Sequence, residues 1–366
     1  MVFQWYLFVL LIIVALFAQI THQTYTVTID GRRELRYGWI PVLMIAIPLI
    51  YLAGTRANIG DTGVYRSGFL SMDVSVTHFF EILGSDSKDK GFSIFTLLLK
   101  TIIGNNDKIY FTIIASICLM CVVSVYKKYS CNFIMSMFLF IASSDYVQWN
   151  YNGMRQFIAV SIAFAATDWL LEKKYLKYFL LILLLSTIHA SALIMIPISF
   201  IVQGKAWNIK TVVLIVGALL AINYSDVTIG IIADFMADTQ YSGEVGQFLE
   251  TEGTNILRVL VFCIPPALAL LLRKWIDRAD SKLLNLATNM SIVSMGAYLV
   301  SSATSGIFVG RIPIYFSLYN YILLPWLVEN VFEEKSQKII YIAIIVCYTI
   351  FYYYQMMVAW DFSGFM

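Results

Sequence analysis

Residues 149–177 read WNYNGMRQFIAVSIAFAATDWLLEKKYLK, from Trp149 to Lys177, and the fold follows from how this stretch meets a bilayer. Its apolar run from Phe157 to Leu171 reads as a membrane helix. Asn152 is a candidate N-cap, with a side-chain oxygen able to accept a backbone N–H of the first turn. Glu172, Lys173 and Lys174 close the run, and lysines at one end of a span mark the cytoplasmic side. Arg155 then falls in the first turn at the opposite end, where both the helix dipole and the positive-inside bias disfavour it. Something anionic is expected nearby.

The rest of the chain has the composition of a polytopic membrane protein. Its 366 residues are 60% hydrophobic and 13% charged, with a mean hydropathy of +0.76, too many apolar stretches of spanning length for a soluble domain. The net charge of +2 and the lack of a long basic run give no footprint for a nucleic-acid partner. All five cysteines lie in or beside apolar segments. Cys118 and Cys121 share a helix, but no second cysteine or histidine pair completes a zinc set, so no metal and no cofactor is expected. The apolar N-terminus has no basic start or small-residue cleavage site and reads as a retained span.

Taken in order, spans are expected at 3–20, 38–53, 109–125, 132–148, the opening helix, 209–224, 255–272, 283–303, 312–331 and 338–357. Arg32, Arg33 and Arg36 place the first loop in the cytoplasm, which puts the N-terminus outside; the C-terminus, with its aromatic tail YYYQMMVAWDF, also falls outside. Residues 54–107 form a long extracytoplasmic loop. Glycines at 54, 60, 63 and 68 suggest irregular backbone around Arg56, Asp61 and Tyr65. The following GFSIFTLLLKTIIG is too short to span and reads as an amphipathic or re-entrant helix. The segment 225–254 carries Asp226, Asp234, Asp238, Glu244, Glu250 and Glu252 with no lysine or arginine and is an acidic extracytoplasmic loop. For both ends of 176–202 to lie inside, that run must be a broken-helix hairpin, its tip near Thr187–Ala190 carrying His189. The alternative is one long tilted helix.

This scheme leaves four inward-running helices with a cation at their start: Lys108, Arg155, Arg258 and Arg311. Free N–H groups and guanidinium forks both suit phosphate, so an anion is the simplest common offset; headgroup phosphates would also serve. Arg155 follows a polar Asn150-Tyr151-Asn152 turn, and Arg311 stands between Gly310 and Ile312-Pro313, a proline near N1 that fixes a helix start. Asp61 can act as a general base or hold an Asx turn in GDTG. His189 can bind a diphosphate, hydrogen-bond a sugar, relay a proton or simply pack. Outer aromatics such as Tyr65, Tyr146, Trp149, Tyr151, Tyr241 and Trp360 suit sugar rings or an interfacial belt. No HExxH, Walker or GxSxG sequence is present.

With these residues in view, the chain resembles the EpsG family of bacterial exopolysaccharide polymerases, relatives of the Wzy-type polymerases. The resemblance covers almost the whole length. It is carried by Arg56, Gly60-Asp61 and Tyr65; by Asp89-Lys90-Gly91-Phe92; by Tyr151-Asn152-Gly153-Met154-Arg155-Gln156; by Ile188-His189-Ala190-Ser191-Ala192-Leu193; and by Gly310-Arg311 leading to Leu324-Pro325. The first loop departs from the family pattern, with Gly-Asp where Gly-Thr-Asp is usual and no tyrosine after Arg56.

The resemblance implies an all-α integral-membrane glycosyltransferase with a GT-C-like helical bundle as a single membrane domain, in the bacterial cytoplasmic membrane. Such an enzyme moves a growing glycan from undecaprenyl diphosphate to a lipid-linked repeat unit on the outer face, with a chain-length regulator as a further partner. Arg155, Arg311 and Arg56 would then hold the diphosphate, Asp61 or His189 would take the acceptor proton, and Tyr65, Asn152, Gln156 and Tyr151 would contact substrate. The competing readings are a glycolipid flippase or secondary transporter, which should show an internal repeat, and a membrane O-acyltransferase, whose histidine would face the cytoplasm.

Overall fold

The computed structural model describes residues 2–29, 32–85, 89–237, 243 and 245–360. Asp238, Tyr241 and Glu244, and the tail beyond Trp360, lie outside the described residues. The chain divides into two compact units, Met1–Leu193 with Phe332–Met366, and Ile194–Val331.

In the first unit, α1 (Val2–Ile20) leads into an antiparallel hairpin of β1 (Thr24–Ile29) and β2 (Arg32–Tyr37), paired from Thr24↔Tyr37 to Ile29↔Arg32. The alternation of TYTVTI and RRELRY is what a ladder needs, and it turns the expected loop into a small ribbon. Next come α2 (Trp39–Gly54), α3 (Thr62–Ser71), α4 (Val76–Gly84) and α5 (Lys90–Ile103). Only 55–61 of the first glycine-marked stretch is irregular; Tyr65 is helical. The 23-residue α6 (Asp107–Tyr129) starts from an Asn106 cap that accepts the Ile109 N–H at 3.1 Å and ends on Lys127 and Lys128. It packs on α2 with Phe111, Ala115, Leu119 and Val122 buried.

The expected span 132–148 is interrupted. α7 (Phe133–Ala142) stops at Ser143, Ser144 takes a left-handed φ of 67°, and the chain restarts as α8 (Asp145–Tyr151). The Ser-Ser-Asp sequence supplies local side-chain bonds that compete with the helix, Ser143 Oγ accepting the Asp145 N–H at 3.4 Å. The opening helix is likewise split, into α9 (Met154–Ala165) and α10 (Thr167–Leu171), followed by α11 (Tyr175–Ser186). α11 ends at Thr187, and a 3-10 turn follows at Ala190–Ile194, so helical continuity breaks where a tip was expected.

The second unit holds α12 (Met195–Ile201), α13 (Ile209–Asn223), α14 (Ser225–Ala237), α15 (Val245–Glu250), α16 (Ile256–Leu271), α17 (Arg273–Ala279), α18 (Lys282–Ser302), a 3-10 turn Val309–Arg311, α19 (Ile314–Ser317) and α20 (Asn320–Val331). α18 is its axis, packed by α13, α16, α19 and α20. Asn289 Nδ2 donates to the Val202 and Lys205 carbonyls at 2.9 and 3.2 Å, fastening the 202–208 connection to that axis. The acidic segment is largely helical, with α14 bent 99° from α13. The chain then returns to the first unit as α21 (Glu334–Tyr354), closed by a π-helical turn at Gln355–Ala359.

Among the described residues three helices are long and apolar enough to cross a bilayer: α6, α18 and α21 with its π turn. Two bent pairs bring the count to five if each is one span. Large apolar side chains face outward along them, such as Val213, Val216 and Leu220 on α13 and Ile342, Val346 and Ile350 on α21. Apolar surface on that scale suits lipid and not water. The protein is an all-α membrane protein carrying one short β-hairpin.

Candidate functional site

The first turn of α9 organises the site. Gly153 precedes it at φ 98°, a left-handed conformation, and a Cβ there would press within 3.2 Å of the Trp149 ring, so the turn demands glycine. Arg155 follows one residue inside the helix. Its Nη1 donates to Asp89 Oδ2 at 2.9 Å and its Nε donates to the Tyr65 hydroxyl at 3.2 Å. The guanidinium carbon also lies 5.8 Å from the Tyr65 ring centre and 5.9 Å from that of Phe92. An anion does offset the charge, and it is an intrachain carboxylate on the residue leading into α5. The two partners are unequal: the Asp89 side chain is 6% exposed and that of Arg155 38%.

Asn152 does not cap α9. The helix begins at Met154 with Gly153 as its flanking residue and no side-chain cap, one position too late for Asn152 to reach a first-turn N–H. Oriented with its nitrogen toward the carboxylate, the Asn152 amide donates instead to Asp61 Oδ2 at 2.8 Å and Oδ1 at 3.0 Å. Asp61 stands at the N-cap of α3 and makes no capping bond of its own. Tyr65 follows it by one helical turn and so shares its face. Asp61, Tyr65, Asn152 and Arg155 are therefore gathered into one corner.

The remaining expected residues have other surroundings. Arg56 is 6% exposed. Its Nη1 donates to the Asn150 carbonyl, its Nη2 lies 3.0 Å from Met154 Sδ, and its guanidinium sits over Phe111 at 4.2 Å. Burial pulls that guanidinium down from its usual range to about 10. Arg56 thus clasps the α8–α9 turn from below. Tyr151 is buried, its hydroxyl donating to the Leu52 carbonyl at 3.2 Å and its ring 5.4 Å from the Arg56 guanidinium. Gln156 is buried within α9. Both sit in the packing beneath the corner.

His189 lies in the break after α11, half-buried, with Nδ1 2.7 Å from Ser191 Oγ. The same break touches the start of α5, where the Gly91 N–H donates to the Thr187 carbonyl at 2.8 Å. A Cβ on Gly91 would stand 2.9 Å from the Thr187 carbonyl carbon, a close approach that only glycine permits. At its other end α5 is held by Lys100, buried, whose ammonium donates to the Phe69 and Leu70 carbonyls at 2.8 and 2.6 Å. The lysine inside the amphipathic helix thereby satisfies the last turn of α3.

In the second unit, Arg311 closes the 3-10 turn Val309–Arg311, half-buried, with Pro313 at the N-cap of the short α19. Pro313 thus stands next to N1, at the start of the helix. The turn rests on Thr254 and Ser301: Gly310 abuts Thr254, and Ser301 Oγ donates to Thr254 Oγ1 at 2.8 Å. Arg258, in the first turn of α16, is 5% exposed; its Nε donates to the Tyr298 hydroxyl at 3.3 Å, and the Phe262 ring centre lies 5.0 Å from its guanidinium.

Sequence reasoning gave no role to two carboxylates. Asp89 sits in a motif that the resemblance quotes, but its partner is 66 residues away. Asp145 is wholly buried and accepts from Trp149 Nε1 at 3.3 Å; an acid inside the apolar run 132–148 was the available signal. Among the described residues no three histidine, cysteine or carboxylate side chains converge as metal ligands.

A family model described as "EpsG family" matches residues 39–365. Comparison with curated proteins and with solved structures finds no match.

Proposed function

The chain belongs to the EpsG family over residues 39–365, and from that premise we propose that it is a GT-C-type membrane glycosyltransferase that polymerises a bacterial exopolysaccharide. The donor is a growing glycan on undecaprenyl diphosphate, the acceptor a lipid-linked repeat unit, and the reaction takes place on the outer face of the cytoplasmic membrane. One observation carries the reading: Asp61, Tyr65, Asn152 and Arg155, drawn from two distant stretches of sequence, meet in one corner, where the Asn152 amide holds the Asp61 carboxylate and, one helical turn along each chain segment, the Tyr65 hydroxyl holds the half-exposed Arg155 guanidinium.

The acceptor hydroxyl oxygen bonds to the anomeric carbon of the donor as that carbon's bond to the diphosphate oxygen breaks. The electron pair leaves with undecaprenyl diphosphate, and the hydroxyl proton passes to a base. Arg155 is assigned to the charge that develops on the leaving group, where guanidinium donors act most strongly; Arg311, in the second unit, is a separate candidate for binding a diphosphate. Asp61 is the first candidate base, oriented by the Asn152 amide, and His189 the second. Tyr65 supplies an aromatic face and a hydroxyl beside the same guanidinium. Arg56, buried with donors turned to the chain, contributes by fixing the turn that carries Asn152 and Arg155.

The test is reconstitution of the purified protein in proteoliposomes with lipid-linked single repeat units. A ladder of longer lipid-linked glycans, with release of undecaprenyl diphosphate, is expected. Asp61→Asn should suppress the ladder by about 10²-fold or more, in the range of a lost general base. Movement of lipid-linked units across the bilayer with no ladder would discard the polymerase reading in favour of a flippase.

A further inference from the structure

We infer that Asp89 is a positioning residue for Arg155, and that the start of α5 sets the distance between Arg155 and the Thr187–His189 break. The inference rests on the assignment of Arg155 to the lipid diphosphate and deepens it.

Three features of Asp89 and its neighbours support it. The ion pair is lopsided, with the acid 6% exposed and the cation 38%, so the carboxylate is committed to the chain while the guanidinium faces outward. The guanidinium is also held along two edges, Nη1 by Asp89 at 2.9 Å and Nε by Tyr65 at 3.2 Å. That fixes the plane as well as the position of the fork, and a planar fork must be aimed to grip phosphate in a bidentate way. Finally, the residue that anchors Arg155 is joined by backbone to the residue that docks on the break. Asp89 holds the cation and Gly91, two residues on, donates to the Thr187 carbonyl at 2.8 Å. Phe92 continues the contact, its ring 5.9 Å from that of Tyr65. With Lys100 clamping the far end of α5 to α3, the helix is a strut fixed at both ends.

The backbone at position 89 provides a clean test. Asp89 has φ 54°, a left-handed conformation that glycine and asparagine both accept readily. Asp89→Gly therefore deletes the side chain without straining the turn, and Asp89→Asn keeps an acceptor oxygen for Arg155. Binding of undecaprenyl diphosphate to the purified protein in nanodiscs is measured for wild type, Asp89→Gly, Asp89→Asn, Arg155→Ala and the double variant Asp89→Gly/Arg155→Ala, with the thermal unfolding midpoint of each. Asp89→Gly should weaken binding by about 10- to 100-fold, the scale of a misplaced site group, and Asp89→Asn should recover part of that loss. The double variant should bind no worse than Arg155→Ala alone, because a residue acting only through Arg155 has nothing further to lose. Equal binding by Asp89→Gly and wild type, or additive losses in the double variant, would overturn the positioning role and leave the polymerase reading intact. Unchanged binding by Arg155→Ala would instead remove the premise. Should Asp89→Gly fail to fold, Asp89→Asn carries the same comparison with Arg155→Ala.

Discussion

The helices α9 and α16 each carry an arginine inside the first turn, Arg155 and Arg258, and in sequence the two starts look alike. Each follows an asparagine by three residues, Asn152 and Asn255. In the structure the two asparagines do different things. Asn255 caps α16, its side chain accepting the Leu257 N–H at 2.9 Å. Asn152 leaves α9 to start from a left-handed glycine and turns its amide to Asp61. The arginines diverge in step: Arg258 is 5% exposed against Tyr298 and Phe262, whereas Arg155 is held by a carboxylate and a phenol with 38% of its side chain open. On the function proposed above, the helix start that gives up its cap to orient an acid serves a ligand, and the one that keeps its cap and buries its cation serves stability.

The largest effect expected from this contrast is on turnover. Arg155→Ala should lower ladder formation by about 10²- to 10³-fold, as when a donor to a developing anion is removed, and its unfolding midpoint should fall too, because the buried Asp89 carboxylate loses this cation; the activity loss is therefore read per folded molecule. Arg258→Met should spare turnover. It loses a hydrogen bond and stacking worth about 1 to 3 kcal/mol together, so its midpoint should fall while activity per folded molecule stays within about twofold. A deep loss of activity in Arg258→Met at unchanged stability would erase the distinction between the two helices. Arg311→Ala belongs with Arg155 if its half-buried turn faces ligand, and its activity loss should be comparable.

Next in size is the Asn152–Asp61 pair. Asn152→Ala removes the amide that orients the carboxylate and should cost about tenfold in turnover, the scale of one misplaced catalytic group. The reciprocal exchange, Asn152→Asp with Asp61→Asn, keeps an amide facing a carboxylate but moves the charge across the pair. If Asp61 is the base, the exchange should be no more active than Asp61→Asn alone. Recovery of wild-type rate in the exchanged protein would show that the carboxylate serves only to brace the turn.

How much of this was legible follows from which forces act locally. The membrane class, the helices α6, α18 and α21, and the short amphipathic α5 all follow from apolar run length, which is a property of neighbouring residues. The errors lie where a distant partner decides. Asp89 meets Arg155 across 66 residues, and Arg56 reaches Asn150 across 94; no periodicity encodes either. Asn152 looked like a cap because it is one position from where a cap would stand, and only the φ of Gly153 shifts the helix start past it. The break at Ser143–Ser144 was hidden inside a run apolar enough to be one span, although the buried Asp145 marked it.

The smallest effect completes the contrast. Asn255→Ala removes a single capping bond from α16 and should cost about 1 kcal/mol, read as a fall of roughly 2 °C in the unfolding midpoint. Ladder formation by the folded protein should not change, because the cap touches only the backbone of its own helix. The same substitution at Asn152 should show the opposite profile, a loss of turnover with a midpoint close to wild type, since α9 draws no cap from it. The pair of alanine variants thus tests the reading of both helix starts with one change of side chain at each. A midpoint drop at Asn152 as large as that at Asn255, with activity retained, would mean that the first turn of α9 does draw on its asparagine and that Arg155 stands in an ordinary capped helix.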